Sequence, residues 1–179
     1  MKKVLLIIGM PGSGKTTAAN LLGKQLNANV IHSGDIVRQE IKRKGLKLTP
    51  EVDRKMRKYF HSGREHIIVN KTIAQFKRNK LNIVDGFRSL KEVKMLKNKG
   101  YEPIIIYISA PFTTRAKRQI KRARMGKRET MSYLKIRDKD ELKIGLEKLI
   151  KSADFVISNR GTLSELKESI KNFAKQINI

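Results

Sequence analysis

The sequence predicts an α/β fold: a five-stranded, mostly parallel sheet with helices on both faces. Three observations carry that prediction. Five short runs rich in branched apolar residues recur along the chain. They are continuous rather than alternating, as strands covered on both faces require. Longer stretches with helical spacing separate them, and strands that alternate with helices imply parallel crossovers. The first run also passes through a glycine-rich junction into helical spacing, not into a hairpin.

The elements follow in order. Residues 3–8, KVLLII, form the first strand, and 14–27 a helix. A short strand, NVIH, covers 29–32, and 33–44 is helical. Thr49-Pro50 pairs an N-cap with a first-turn proline. It opens a helical stretch to about Arg78, with a break near Ser62-Gly63. LNIVD (81–85) is a strand and 89–99 a helix. EPIIIYIS (102–109) is a strand, followed by a strongly basic helix over 111–124 and a second helix over 132–151. ADFVIS (153–158) is the last strand, and 162–177 the closing helix. There is neither a repeat nor a low-complexity linker, so residues 1–179 read as one domain with its own core. Residues 45–63 and 122–140 are polar and read as mobile inserts over the carboxyl edge of the sheet.

Forty-one Lys and Arg against sixteen Asp and Glu give a net charge of +25. Such a field attracts polyanions, so it admits non-specific nucleic acid as a partner, as well as serving solubility. The absence of cysteine excludes disulfides and thiolate metal sites. No apolar run approaches the roughly 18 residues of a membrane span, and the first run lacks the small-residue cleavage site of a signal peptide. The expected location is therefore cytoplasmic, without a membrane partner. Of the three histidines, His61 and His66 read as surface residues and His32 as a strand-end residue beside the site. Nothing in the sequence sets the oligomeric state.

GMPGSGKTT, from Gly9 to Thr17, fits the phosphate-loop pattern G-x-x-x-x-G-K-[ST]. Gly9, Gly12 and Gly14 let the loop curl, so that backbone N–H groups point inward at phosphate oxygens. Pro11, Ser13 and Thr17 complete the wall, and the positive end of the following helix adds to the attraction. Lys15 is expected to bridge the β- and γ-phosphates of ATP, and the Thr16 hydroxyl to hold Mg²⁺. A guanine-reading N-K-x-D motif is missing, and no apolar strand ends in Asp-Glu. A second phosphate site therefore has to be sought.

Five segments together resemble the nucleoside monophosphate kinases, adenylate kinase above all. The loop is similar to that family's G-x-P-G-x-G-K-[ST] form. IHSGDIVR (31–38) resembles I-S-T-G-D-x-[LF]-R. The match implies that Arg38 holds the acceptor phosphate, that Asp35 lies near the metal and phosphates, and that Ser33 and Gly34 lie near the acceptor base. NIVDGFRS (82–89) resembles a strand ending D-G-F-P-R, with the proline missing. On that match Asp85 binds the Mg²⁺ shell through water, Gly86 and Phe87 belong to the acceptor site, and Arg88 clamps the acceptor phosphate. Residues 113–128 hold eight Lys or Arg and no acid. Arg115, Arg118 and Arg122 share one helical face. Arg118 and Arg122 match the family's R-x-x-x-R, which implies lid arginines that close on the transferred group. ADFVISNRGTLSELKESI (153–170) looks like the end of dephospho-coenzyme A kinases, where the loop here formed by Asn159, Arg160 and Gly161 packs on the donor adenine. The family's base-reading glutamine falls on Glu92.

Taken whole, the chain is similar to small archaeal P-loop proteins described as adenylate-kinase-related. The resemblance implies a three-layer P-loop nucleotide kinase fold with a helical acceptor-binding insert (33–80) and a short basic lid (113–140). It implies ATP and Mg²⁺ as cofactors and, on overall resemblance, AMP as the acceptor; GMP stands second, favoured by Glu92, whose carboxylate only accepts hydrogen bonds and so suits the N1–H and N2–H₂ donors of guanine better than adenine. Two other readings stay open. One is a dephospho-coenzyme A kinase-like enzyme, whose hydroxyl acceptor needs a base, for which Asp35 is the candidate. The other is a nucleic-acid-associated ATP-binding switch with weak or no kinase activity.

Overall fold

The computed structural model describes residues 1–122 and 130–177. Five strands, β1 (Lys2–Ile8), β2 (Asn29–His32), β3 (Asn82–Asp85), β4 (Tyr101–Ser109) and β5 (Phe155–Ser158), form one sheet in the order β2-β3-β1-β4-β5. Every pairing is parallel, with Leu6 beside both Val84 and Ile105 at the centre. The period of two then divides the side chains of β1. Val4, Leu6 and Ile8 enter one core, and Leu5 and Ile7 enter another on the opposite face. That is why the central strand reads as an unbroken apolar run.

Helices cover both faces. α1 (Lys15–Gln25) and the closing α9 (Leu163–Gln176) bury Ala18, Leu22, Leu166 and Ile170 against one of them. The other is covered chiefly by α2 (Ser33–Arg43), α3 (Pro50–Phe60), α4 (Glu65–Ile73) and α5 (Leu90–Asn98), through Ile36, Phe60, Ile68 and Leu96. α6 (Phe112–Arg122) lies against the glycine loop. α7 (Met131–Glu141) leads through a π turn at Leu142–Leu146 into α8 (Glu147–Lys151).

The local signals act as expected. Thr49 Oγ1 accepts from Val52 N at 3.2 Å and Pro50 occupies the first turn, and Thr162 and Glu165 form a reciprocal cap on α9. Three expectations need correction. The stretch 45–63 is not merely a polar insert, because α3 sinks Met56 and Phe60 into the core. α4 ends at Ile73 rather than near Arg78. The helix read over 132–151 is interrupted at Gly145, whose φ of +122° no helix accommodates. There the chain lies against the β3–α5 loop, with a glycine Cβ position 3.5 Å from Ser89 Cβ.

Candidate active site

All five strands end along one edge, at Ile8, His32, Asp85, Ser109 and Ser158. In parallel sheets ligands gather outside this edge. The glycine loop rises from β1 and turns through Gly12 and Gly14 at φ +80° and +90°. A side chain at Gly12 would lie 2.6 Å from the Arg115 carbonyl, and one at Gly14 would lie 2.3 Å from Asn159 Nδ2. Glycine is required there by conformation and by contact. Neighbours hold the loop from outside: Asn159 Nδ2 donates to Ser13 O at 2.7 Å, and Arg115 Nη1 to Pro11 O at 3.0 Å. Arg115 is itself buried and paired with Asp138 at 2.7 Å, which makes it a brace for the loop. α1 starts at Lys15 with no side chain capping its first turn, so its N–H groups remain for a ligand.

Lys15 is half-buried. Burial pushes its ammonium down to about 8 against the pull of Asp85, and nearby Arg88 adds to the depression. Thr16 Oγ1 donates to Asp85 Oδ2 at 2.7 Å, and His32 Nδ1 lies 3.1 Å from the same oxygen. Burial alone would raise Asp85, but His32, Lys15 and Thr16 hold its carboxyl below the usual range. The Asp85 hydrogen bond raises His32 in return. Asp85 Oδ1 is buried and has no hydrogen-bond partner among the described residues. These oxygens fit Mg²⁺, a hard ion that keeps most of its waters and completes its shell from phosphate. Asp35 lies in the same cleft, but it is exposed and its carboxylate is paired with Arg38. Among the described residues, no three His, Asp or Glu side chains converge into a full metal cage.

Two clefts meet at Lys15 and Thr16. One, of about 340 Å³, runs along the loop and α6 past Gly12, Thr17, Arg118 and Gln119. The other, of about 160 Å³, opens between α2, α3, α7 and the end of β3, and it is walled by Arg38, Arg57, Arg88 and Arg137. Arg88 is buried, with Nε on Glu141 Oε2 at 2.6 Å and Nη1 on Gly86 O at 2.7 Å. Glu141 also faces Arg57 at 3.4 Å, and Arg57 is held by Asp53 at 2.7 Å. Burial alone would raise the Glu141 carboxyl. The guanidiniums of Arg88 and Arg57 overcome that and pull it down to about 2.

The remaining expected residues fall as follows. Gly34 and Gly86 line the second cleft, while the Ser33 hydroxyl is buried close to Gly86. Phe87 belongs to the core and not to the cleft. Glu92 is a correction as well: it is buried, and its Oε2 accepts from Arg88 N at 2.7 Å and from Ser89 N at 2.9 Å, capping α5. Its other oxygen lies 3.5 Å from His61 Nε2, and the His61 side chain is 2 % exposed, so His61 is no surface residue. Arg118 spans from α6 to the loop after β5, donating to Asn159 O at 3.1 Å and to Gly161 O at 2.9 Å, with Arg160 exposed between them. The side chain of Arg122, and residues 123–129 of the expected lid, lie outside the described residues. Arg57 and Glu141 escaped the sequence reading. The only trace of their role is an acidic cluster, RDKDE (137–141), in a basic chain.

The family described as AAA domain matches residues 8–137. Proteins called UPF0200 protein are similar along nearly the whole chain. That of Staphylothermus marinus is 34% identical over 179 residues, covering 97% of this chain and 92% of its own. That of Methanococcus vannielii is 33% identical over 180 residues, covering 98% and 96%. That of Aeropyrum pernix is 30% identical over 174 residues, covering 96% and 92%. Among solved structures, a shikimate kinase from Acinetobacter baumannii in complex with shikimate superposes with a TM-score of 0.62 at 18% identity, covering 98% of this chain and 90% of that one. A gluconokinase from Sinorhizobium meliloti gives 0.60 at 13%, covering 97% and 94%. At such identities these two show the fold alone.

Proposed function

The chain belongs to the UPF0200 family and carries its fold on an AAA domain, and from that premise we propose that it transfers the γ-phosphoryl group of ATP to a small anionic acceptor. The observation that carries this reading is the meeting of two clefts at Lys15 and Thr16, one along the glycine loop and one walled by arginines. A donor and an acceptor placed in these clefts face each other across the lysine. Transfer needs alignment, charge neutralisation and exclusion of water rather than covalent help.

In this reading the loop N–H groups and Lys15 hold the donor phosphates. Arg118, together with Asn159 and Gly161, forms the end of the donor cleft where an adenine stacks. Arg38 and Arg88 bind the acceptor, with Arg57 and Arg137 beside them. Thr16 and Asp85 would hold Mg²⁺, which would supply charge neutralisation on the phosphates. The bond from the γ-phosphorus to the β-bridging oxygen breaks as a bond from an acceptor oxygen forms, and ADP leaves. A phosphate oxygen of the acceptor is already deprotonated, so no side chain has to take a proton. AMP is the acceptor that the sequence motifs favour.

The test is a panel in which purified protein and ATP·Mg²⁺ are incubated with AMP, GMP, CMP, UMP or dephospho-coenzyme A and the products are separated. Transfer to at least one monophosphate is expected. If none of the five is phosphorylated, the reading falls as stated.

A further inference from the structure

From the acceptor cleft we infer that this site selects a compact phosphate-bearing molecule by its anionic groups and does not read a nucleobase. The inference rests on the reading of this cleft as the acceptor side. Four arginines arrive there from four segments: Arg38 from α2, Arg57 from α3, Arg88 from the β3–α5 loop and Arg137 from α7. Guanidinium groups suit planar, bidentate contact with phosphate oxygens. The rest of the wall is polar side chains and the two glycines Gly34 and Gly86. A nucleobase draws much of its binding energy from stacking on aromatic or apolar faces, about 1–3 kcal/mol per base. Among the described residues this wall offers no Phe, Tyr, Trp or aliphatic side chain, only the His32 ring, tied at both nitrogens to Asp85 and Asn20, and guanidinium faces.

The residues that could have read a base do not line the cleft. The Glu92 carboxylate caps α5 and faces His61. Phe87 is packed among Val84, Val93 and their neighbours in the core. The Ser33 hydroxyl is buried at Gly86, where a Cβ would sit 2.7 Å from it; it has no hydrogen-bond partner among the described residues, but it does not reach the cleft wall. The cleft is also small, about 160 Å³, whereas pockets for drug-sized ligands start near roughly 300 Å³. Inside it, Arg88 has Nε and Nη1 engaged by Glu141 and Gly86, so its guanidinium is fixed in orientation at the cleft wall.

Ribose 5-phosphate is AMP without its base, so the comparison is direct. With Mg²⁺ and the non-transferable ATP analogue AMP-PNP present to fill the donor cleft without turnover, the dissociation constants of ribose 5-phosphate, pyrophosphate, AMP and GMP would be measured by calorimetry. Ribose 5-phosphate is expected to bind within tenfold of AMP, and AMP within tenfold of GMP. Arg38→Ala is expected to weaken ribose 5-phosphate and AMP by the same factor, tenfold or more. A tenfold or larger advantage of either nucleotide over ribose 5-phosphate would overturn the inference, as would failure of all four to bind. Because no turnover is measured, a protein that binds in this order yet transfers nothing would remove the phosphotransferase reading alone. A base-selective protein that does transfer would remove only this inference.

Discussion

At the scale of single residues, Lys15 carries the most specific expectation. Lys15→Ala should abolish phosphoryl transfer without loss of fold, read as turnover beside a denaturation midpoint at pH 7 that is not lowered and rises if the cost of burying the ammonium is relieved. The depressed ammonium adds a pH signature. With a folded value of about 8 against the usual 10.5, the unfolded chain binds more protons between those values. This group therefore favours the fold as pH rises through that window, and its charging costs stability below it. Phosphate at the loop favours the charged form, so nucleotide binding above pH 8 must take up a proton. Calorimetry of ADP binding at pH 9, without Mg²⁺ so that no transfer occurs and in two buffers of different ionisation enthalpy, should show uptake approaching one proton, against almost none at pH 7. Equal uptake at both would mean that Lys15 does not meet the phosphates. Glu92 supplies the contrasting case. Since its carboxylate caps α5, Glu92→Gln should cost about 1–2 kcal/mol of stability and leave the ratio of AMP to GMP unchanged in the acceptor assay.

At the scale of elements, Glu141 ties α7 to α3 and to the β3–α5 loop. α3 and α7 are further joined by Arg54 and Lys58 on Asp140, and by Tyr133 Oη on Pro50 O at 3.2 Å. With its carboxyl at about 2 rather than 4.5, Glu141 contributes stability that is complete above pH 4.5 and is lost as pH falls toward 2. Linkage puts this on the order of 3 kcal/mol. Glu141→Gln should therefore destabilise the protein at pH 7 by about 3–5 kcal/mol, because Arg88 and Arg57 lose a buried partner. The gap between the two proteins should narrow in denaturation curves taken at pH 4 and then pH 3. A constant gap would place the stabilisation elsewhere. This network also shows where sequence reading stops. Strands and caps are written locally, in runs such as KVLLII and in Thr49-Pro50. The glycine loop is equally local, since nine consecutive residues contain it. Arg88 and Glu141 stand 53 positions apart, and their pairing exists only because the chain breaks at Gly145 and brings α7 against the loop. A glycine inside a helical pattern gives no hint of such a contact.

For the whole molecule, the two-faced sheet followed from the pattern of β1, but the +25 charge did not declare its purpose in the sequence. On the proposed reaction, part of it would have one. The arginines of the second cleft and the lysine between the clefts sum to a positive field at the carboxyl edge of the sheet, where both substrates of the proposed reaction would arrive as anions. Five cations, Lys15, Arg38, Arg57, Arg88 and Arg137, face two carboxylates, Asp35 and Asp85, in the second cleft, and an excess of one sign in a low-dielectric cleft focuses the field and raises association rates by roughly 10 to 1,000-fold. Screening acts on this long-range term, because the Debye length shortens from tens of ångströms at low salt to about 8 Å at physiological strength. Contacts already formed in the loop are screened much less. The association rate of a fluorescent ATP analogue should therefore fall at least tenfold between about 20 and 200 mM salt, while its dissociation rate changes by less than threefold, as stopped-flow measurements would resolve. A flat association rate would mean that the net charge does not steer nucleotide to the glycine loop. A dissociation rate that rises in parallel would mean that Lys15 holds phosphate through an exposed, screened contact rather than inside the cleft.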